Sequence, residues 1–245
     1  MDARIPRALG GAFLVVIVTS LVGGLLLKAA LGSGGIADVL TSAADQSALL
    51  SAAVLADLVT SLGIVVLAVL LYVVLATQSR VVALVALGWW LMEALFMAIS
   101  TIGALALAPL GQGFVEAGAP AASFHQTLGD FLYQGVSQTA YTIHMFFYCA
   151  GGLVWYSLFY RSGYIPRGIS LFGLAAVVLA SVGIVAELFG AEVPLALYLP
   201  LLPFELLIGT WLLVKGIPSA TTVSPSHPGE TIIKASLTVS PAPRA

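Results

Sequence analysis

Charge is what this chain has least of. Only 8% of its 245 residues are Asp, Glu, Lys or Arg, whereas ordinary soluble domains carry roughly 25%. A soluble protein this poor in charge would expose more apolar surface than a monodisperse chain tolerates. Cysteine is nearly missing too. The single Cys149 has no partner for an intramolecular disulfide and no zinc-type spacing around it, so inside its apolar run it reads as a small buried residue. Catalytic signatures are also lacking. There is no H-E-x-x-H and no phosphate-cradling G-x-x-x-x-G-K, and no G-x-S-x-G elbow. Spacing nominates no nucleophile beside His144. A metal held by His144 with carboxylates is geometrically feasible, but no motif supports it. No basic surface of the nucleic-acid-binding kind is present. The expectation is no cofactor, no resident metal and no nucleic-acid partner, and the balance is against an enzyme.

What the chain does have is apolar length. Hydrophobic residues make up 60% of it, and its mean hydropathy is +1.08. About 20 apolar residues suffice to span a bilayer, and six runs reach that length: 8–30, 49–76, 81–107, 137–160, 168–189 and 195–214. The predicted fold is all-α, a polytopic integral membrane protein of six transmembrane helices in one domain, 1–217. Residues 218–245 are rich in Ser, Thr, Pro and Ala without apolar periodicity, the composition of a disordered tail. Arg4 and Arg7 before an apolar run imitate a signal peptide, but that run exceeds the usual 7–15-residue signal core. A retained first helix is expected.

The connectors carry their own signals. Residues 32–48, with Asp38 and Asp45, read as a polar loop, and Thr77-Gln-Ser-Arg80 as a tight hairpin. Pro109 is expected just past the end of the third helix. In the long stretch 110–135, Phe124, Leu128, Phe131 and Leu132 share a face and Ser123 is placed to cap it. That stretch is either a short helix lying on the membrane surface or a disordered loop. Pro166 is placed to start the fifth helix. Pro200 and Pro203 should kink the start of the sixth, leaving the carbonyls of Ala196 and Leu199 without their usual partners. Small residues recur at Gly173, Ala176, Ala180 and Gly183, a stripe suited to tight packing against a partner chain, a second copy or a neighbouring helix.

Basic residues set the orientation. Six helices place Arg4, Arg7, Arg80, Arg161, Arg167, Lys215, Lys234 and Arg244 on one side, and only Lys28 on the other. Eight against one predicts that both termini, and the tail, are cytoplasmic. Arg161, Arg167 and Lys215 serve as topology anchors in this reading, with the lipid bilayer as the first partner.

The heptapeptide Arg161-Ser-Gly-Tyr-Ile-Pro-Arg167, the following Gly173, and Glu205 with Trp211-Leu-Leu-Val-Lys-Gly216 resemble a bacterial membrane family known as domain of unknown function 4386. The resemblance spans about residues 5–217 and is most specific in its second half. Trp90-Leu-Met-Glu-Ala94 is similar to that family's third helix, where a basic residue would be expected at the position of Trp90. A charge pair with Glu93 is therefore not implied here. The resemblance implies a bacterial membrane protein of six to seven helices and carries no activity; the expected location is the bacterial cytoplasmic membrane.

Chemistry is sought among the intramembrane ionisable groups. An Asp at mid-helix costs about 2.5–3.5 kcal/mol on insertion scales, so such residues persist for a reason. Asp57, Glu93, His144 and Glu205 lie in four different helices. At about 1.5 Å per residue, all four fall near the midplane or in the half away from the basic connectors. Tyr141, His144 and Tyr148 form a stripe, and Tyr198 shares a face with Glu205. The functional reading is a polar cavity whose groups bind or move a small solute, a proton or a cation. Each acid taken singly reads equally well as interhelical glue, bonded to a Tyr, a Ser or a carbonyl. The alternative function is a non-catalytic membrane subunit or partner-binding protein. Glu187, nearer the membrane surface, reads as a solvated group.

Overall fold

A computed structural model of the chain describes residues 4–217. The tail expected over 218–245 lies outside the described residues. Eight α-helices follow one another: α1 (Arg4–Leu31), α2 (Ile36–Asp45), α3 (Ser47–Leu75), α4 (Arg80–Glu116), α5 (Phe124–Asp130), α6 (Thr139–Ser162), α7 (Arg167–Leu188) and α8 (Leu201–Lys215). A π-helical segment, Phe131–Gln138, joins α5 to α6, and a 3₁₀ turn, Leu195–Leu197, precedes α8. Six helical stretches are long and apolar enough to cross a membrane. Their outward faces carry exposed side chains such as Leu25, Leu62 and Val182, as lipid-facing helices should. The protein is an all-helical, multi-pass membrane protein.

The spanning helices close into a ring. Each packs on the next in the order α1, α3, α4, α6, α7, α8, and α8 returns to α1. Glycine permits that last seam. A Cβ on Gly10 would collide with the α8 backbone at Gly209 and Leu213, and would lie 2.9 Å from the Leu212 carbonyl carbon. Gly10→Val is therefore expected to separate α1 from α8 at a cost of about 1–3 kcal/mol, the usual toll of overpacking. A lowered unfolding temperature in detergent checks it, with Gly11→Val as the control. Gly11 has open space where its Cβ would be.

Charge divides between the ends of the ring. The start of α1 lies against the end of α8, and the Thr77 hydroxyl lies 3.2 Å from the Tyr164 hydroxyl, joining the two connectors beside them. One end thus carries Arg7, Arg80, Arg161, Arg167 and Lys215, and the other Asp38, Asp45, Glu116, Asp130 and Glu192. Gly163, at φ +66°, ends α6 in the left-handed conformation that glycine adopts without strain. Pro166 caps α7 three residues later, as the sequence predicts.

Several expectations need correction. The loop expected over 32–48 contains α2, whose Val39, Leu40 and Ala43 are buried. Pro109 does not end its helix, because α4 runs on to Glu116 with Pro109 inside it. Proline removes one backbone hydrogen bond, but Leu107, Gly111 and Phe114 pack into a second core with Leu40 of α2 and hold the helix together. Neither alternative for 110–135 is right either. Ser123 does cap a helix, accepting from the Gln126 N–H, but that helix continues unbroken from Phe124 to Ser162. Gly129 rests on Leu40 while Phe124 and Phe131 stay exposed, so only part of the expected apolar face is used. The small-residue stripe of α7 is covered by its own chain, with Gly173 against the Phe204 ring and Gly183 against Tyr198. It offers no free face to a partner.

Candidate functional site

The ring encloses a chamber of about 220 Å³. Five elements reach into it. Ser20 comes from α1, Thr60 from α3, Glu93 from α4, and Tyr141, His144 and Tyr148 from α6; Glu205 of α8 and Tyr198 complete the polar wall. Glu93, His144, Glu205, Tyr141, Tyr148 and Tyr198, which the sequence places on three separate helices, therefore line one space. Asp57 does not join them. It lines a neighbouring cavity of about 140 Å³ with Ser100, Thr101 and Ser137. Ser20 and Tyr141 border both spaces. Asp57 is placed there by Gly23, whose missing side chain leaves room for the carboxylate.

The two chamber acids differ in their partners. Tyr148 donates to Glu205 Oε1 at 2.6 Å. Its ring is stacked on Trp90, with centroids 6.1 Å apart and planes 8° from parallel, and Trp90 Nε1 donates to the Tyr148 carbonyl at 3.2 Å. Gly151 admits the indole, since any Cβ there would occupy its place. Trp155 meets Trp90 edge-on, and Phe204 meets Tyr156 the same way at 4.6 Å. Trp90, Trp155, Tyr156 and Phe204 are each no more than 2% exposed. This aromatic layer packs between the chamber and the basic end.

Glu93 is only 3% exposed. Its backbone carbonyl lies 3.2 Å from His144 Nδ1, so an imidazole donating from Nδ1 keeps Nε2 as an acceptor. Glu93 Oε2 is buried with no hydrogen-bond partner, the sole carboxylate oxygen in that condition among the described residues. A buried polar atom left unpaired costs about 1–3 kcal/mol. No Lys or Arg lines the chamber or its neighbours. No three His, Cys, Asp or Glu side chains among the described residues are grouped to hold a metal ion.

Two further residues bear on the site. Glu187, read as solvated, accepts from the Tyr198 hydroxyl at 2.7 Å and lines a further cavity of about 290 Å³ with Tyr198 and Tyr141. Trp90 entered only as a departure from a family pattern. Its place three residues before Glu93 puts both on one face of α4, which is the signal that would have found it. Pro200 caps the start of α8, and Pro203 lies in its first turn. The residues four beyond Ala196 and Leu199 are Pro200 and Pro203, which have no N–H to donate, and the helix begins only at Leu201.

The sequence profile described as Domain of unknown function (DUF4386) matches residues 8–216. The chain belongs to this family. Every chamber residue lies within the part shared with the DUF4386 family, and the match stops before the tail. No curated protein and no solved structure matches the chain. The family description names no activity, so function must be argued from the chamber.

Proposed function

We propose that the protein binds a small organic cation, an ammonium group on a compact apolar body, in the central chamber. The unpaired Glu93 Oε2 carries this reading. A cation placed there would satisfy an oxygen that the protein leaves without a donor, and Glu205 supplies a second carboxyl group on the same wall. Tyr141, Tyr148 and Tyr198 offer aromatic faces, which attract ammonium groups. Met145, Leu201 and Leu202 make the remaining walls apolar. Hard metal ions instead prefer six or more oxygen ligands. The chamber volume of about 220 Å³ is below the 300–1,000 Å³ of pockets for drug-sized ligands, so the solute is small. We infer a bacterial cytoplasmic membrane with the basic end and both termini inside, following the bias in Lys and Arg. The chamber then lies toward the outer face. Tyr141, 44% exposed, and the Glu187 cavity mark the way in.

Titrating the purified full-length protein with propylammonium chloride and tetramethylammonium chloride tests the proposal, with tryptophan fluorescence as the readout because Trp90 stacks on the chamber wall. A saturable change with an ammonium probe is expected, absent with sodium propionate and weakened about tenfold or more in Glu205→Gln, which loses the charge. Flat titrations with both ammonium probes, or an equal response to propionate, would refute it.

A further inference from the structure

A second recess opens at the opposite end of the ring, and it is basic. It has a volume of about 640 Å³ and lies between the connector joining α6 to α7 and the end of α8. Arg167 stands on the connector side and Lys215 on the α8 side; Trp211, Tyr164, Ile165 and Pro166 provide an apolar and aromatic lining. All nine described carboxylates lie in the other half of the molecule or in the chambers between, so none is at hand to neutralise this pair. The Arg167 guanidinium rests 5.9 Å from the centre of the Tyr160 ring, a contact that leaves its charge uncompensated. From these features we infer that the recess binds the phosphate of an anionic membrane lipid. Its position is where headgroups lie, at the ends of two spanning helices. A tryptophan at that level has an apolar body and one polar N–H suited to the interface. Basic recesses between spanning helices are suited to anionic headgroups. The assignment stands apart from the chamber, which it neither uses nor requires.

The test is native mass spectrometry of the full-length protein released from nanodiscs holding equal amounts of phosphatidylglycerol and phosphatidylcholine. Retained phosphatidylglycerol should exceed phosphatidylcholine, and the Arg167→Gln/Lys215→Gln double variant should lower that ratio on the order of tenfold. Arg80→Gln removes a charge from the same end but outside the recess, and should leave the ratio near its wild-type value. Equal unfolding temperatures across the variants establish that all are folded. If the double variant keeps its phosphatidylglycerol, or Arg80→Gln loses as much, the recess is not a site and the attraction is diffuse. If inorganic phosphate or glycerol 3-phosphate displaces the lipid at millimolar concentration, the site serves soluble phosphate compounds and the lipid assignment falls.

Discussion

Trp90→Ala is expected to destabilise the protein by about 3–5 kcal/mol, the range for removing a large buried aromatic side chain. The indole is 2% exposed, stacked on Tyr148 and edge-on to Trp155, and seated against Gly151. Its removal leaves a void that neighbours on three turns of α6 cannot fill without moving their backbone. Tyr148 then loses its platform, and with it the geometry of its hydrogen bond to Glu205. A fall in unfolding temperature should therefore be accompanied by loss of the chamber's response to propylammonium. Trp90→Phe separates the contributions. It keeps an aromatic ring over Tyr148 and loses the Nε1 donor, for a smaller cost of about 1 kcal/mol. Wild-type stability in Trp90→Ala would mean that this aromatic layer does not hold α4 to α6.

Glu93→Leu should act in opposite directions on stability and binding. Glu93 Oε2 is buried without a partner, so an apolar side chain of similar reach removes a penalty of about 1–3 kcal/mol. The variant is expected to unfold at a higher temperature than the wild type. It should also lose affinity for an ammonium probe by on the order of a hundredfold, the scale for deleting one member of a buried charge pair. Gain of stability with loss of function is the mark of a residue kept for a ligand. If Glu93→Leu instead unfolds more readily, Glu93 is interhelical glue and the cation proposal loses its main support. Glu205 has a different balance, because its bond from Tyr148 gives it a structural share. Glu205→Gln retains a hydrogen-bond acceptor and tests charge alone.

How much of this site could be read beforehand depends on which coordinate is asked for. The depth of Glu93, His144 and Glu205 follows from the rise per residue along each helix, and the structure indeed lines them around one chamber. Depth is blind to rotation about the helix axis. Asp57 lies in the same half of the molecule, yet Gly23 and Tyr141 place it in the neighbouring cavity. The small-residue stripe is an equal case. Gly173 and Gly183 do mark a tight interface, but no local pattern says whose side chains fill it, and Phe204 and Tyr198 of the same chain do so.

Sequence alone determined the quantities that are summed along the chain. Apolar length set six membrane-long helices, sparse charge excluded a soluble fold, and the placement of Arg and Lys separated a basic end from an acidic one. Tertiary structure decided what depends on neighbours. Packing against Leu40 carries α4 past Pro109, and closure of α8 on α1 turns a row of helices into a ring with an interior. The reason is physical: hydropathy and proline chemistry act within a few residues, whereas a cavity exists only where several helices present chosen faces to one another. A carboxylate oxygen left without a donor, like that of Glu93, can be seen only once every neighbour is in place.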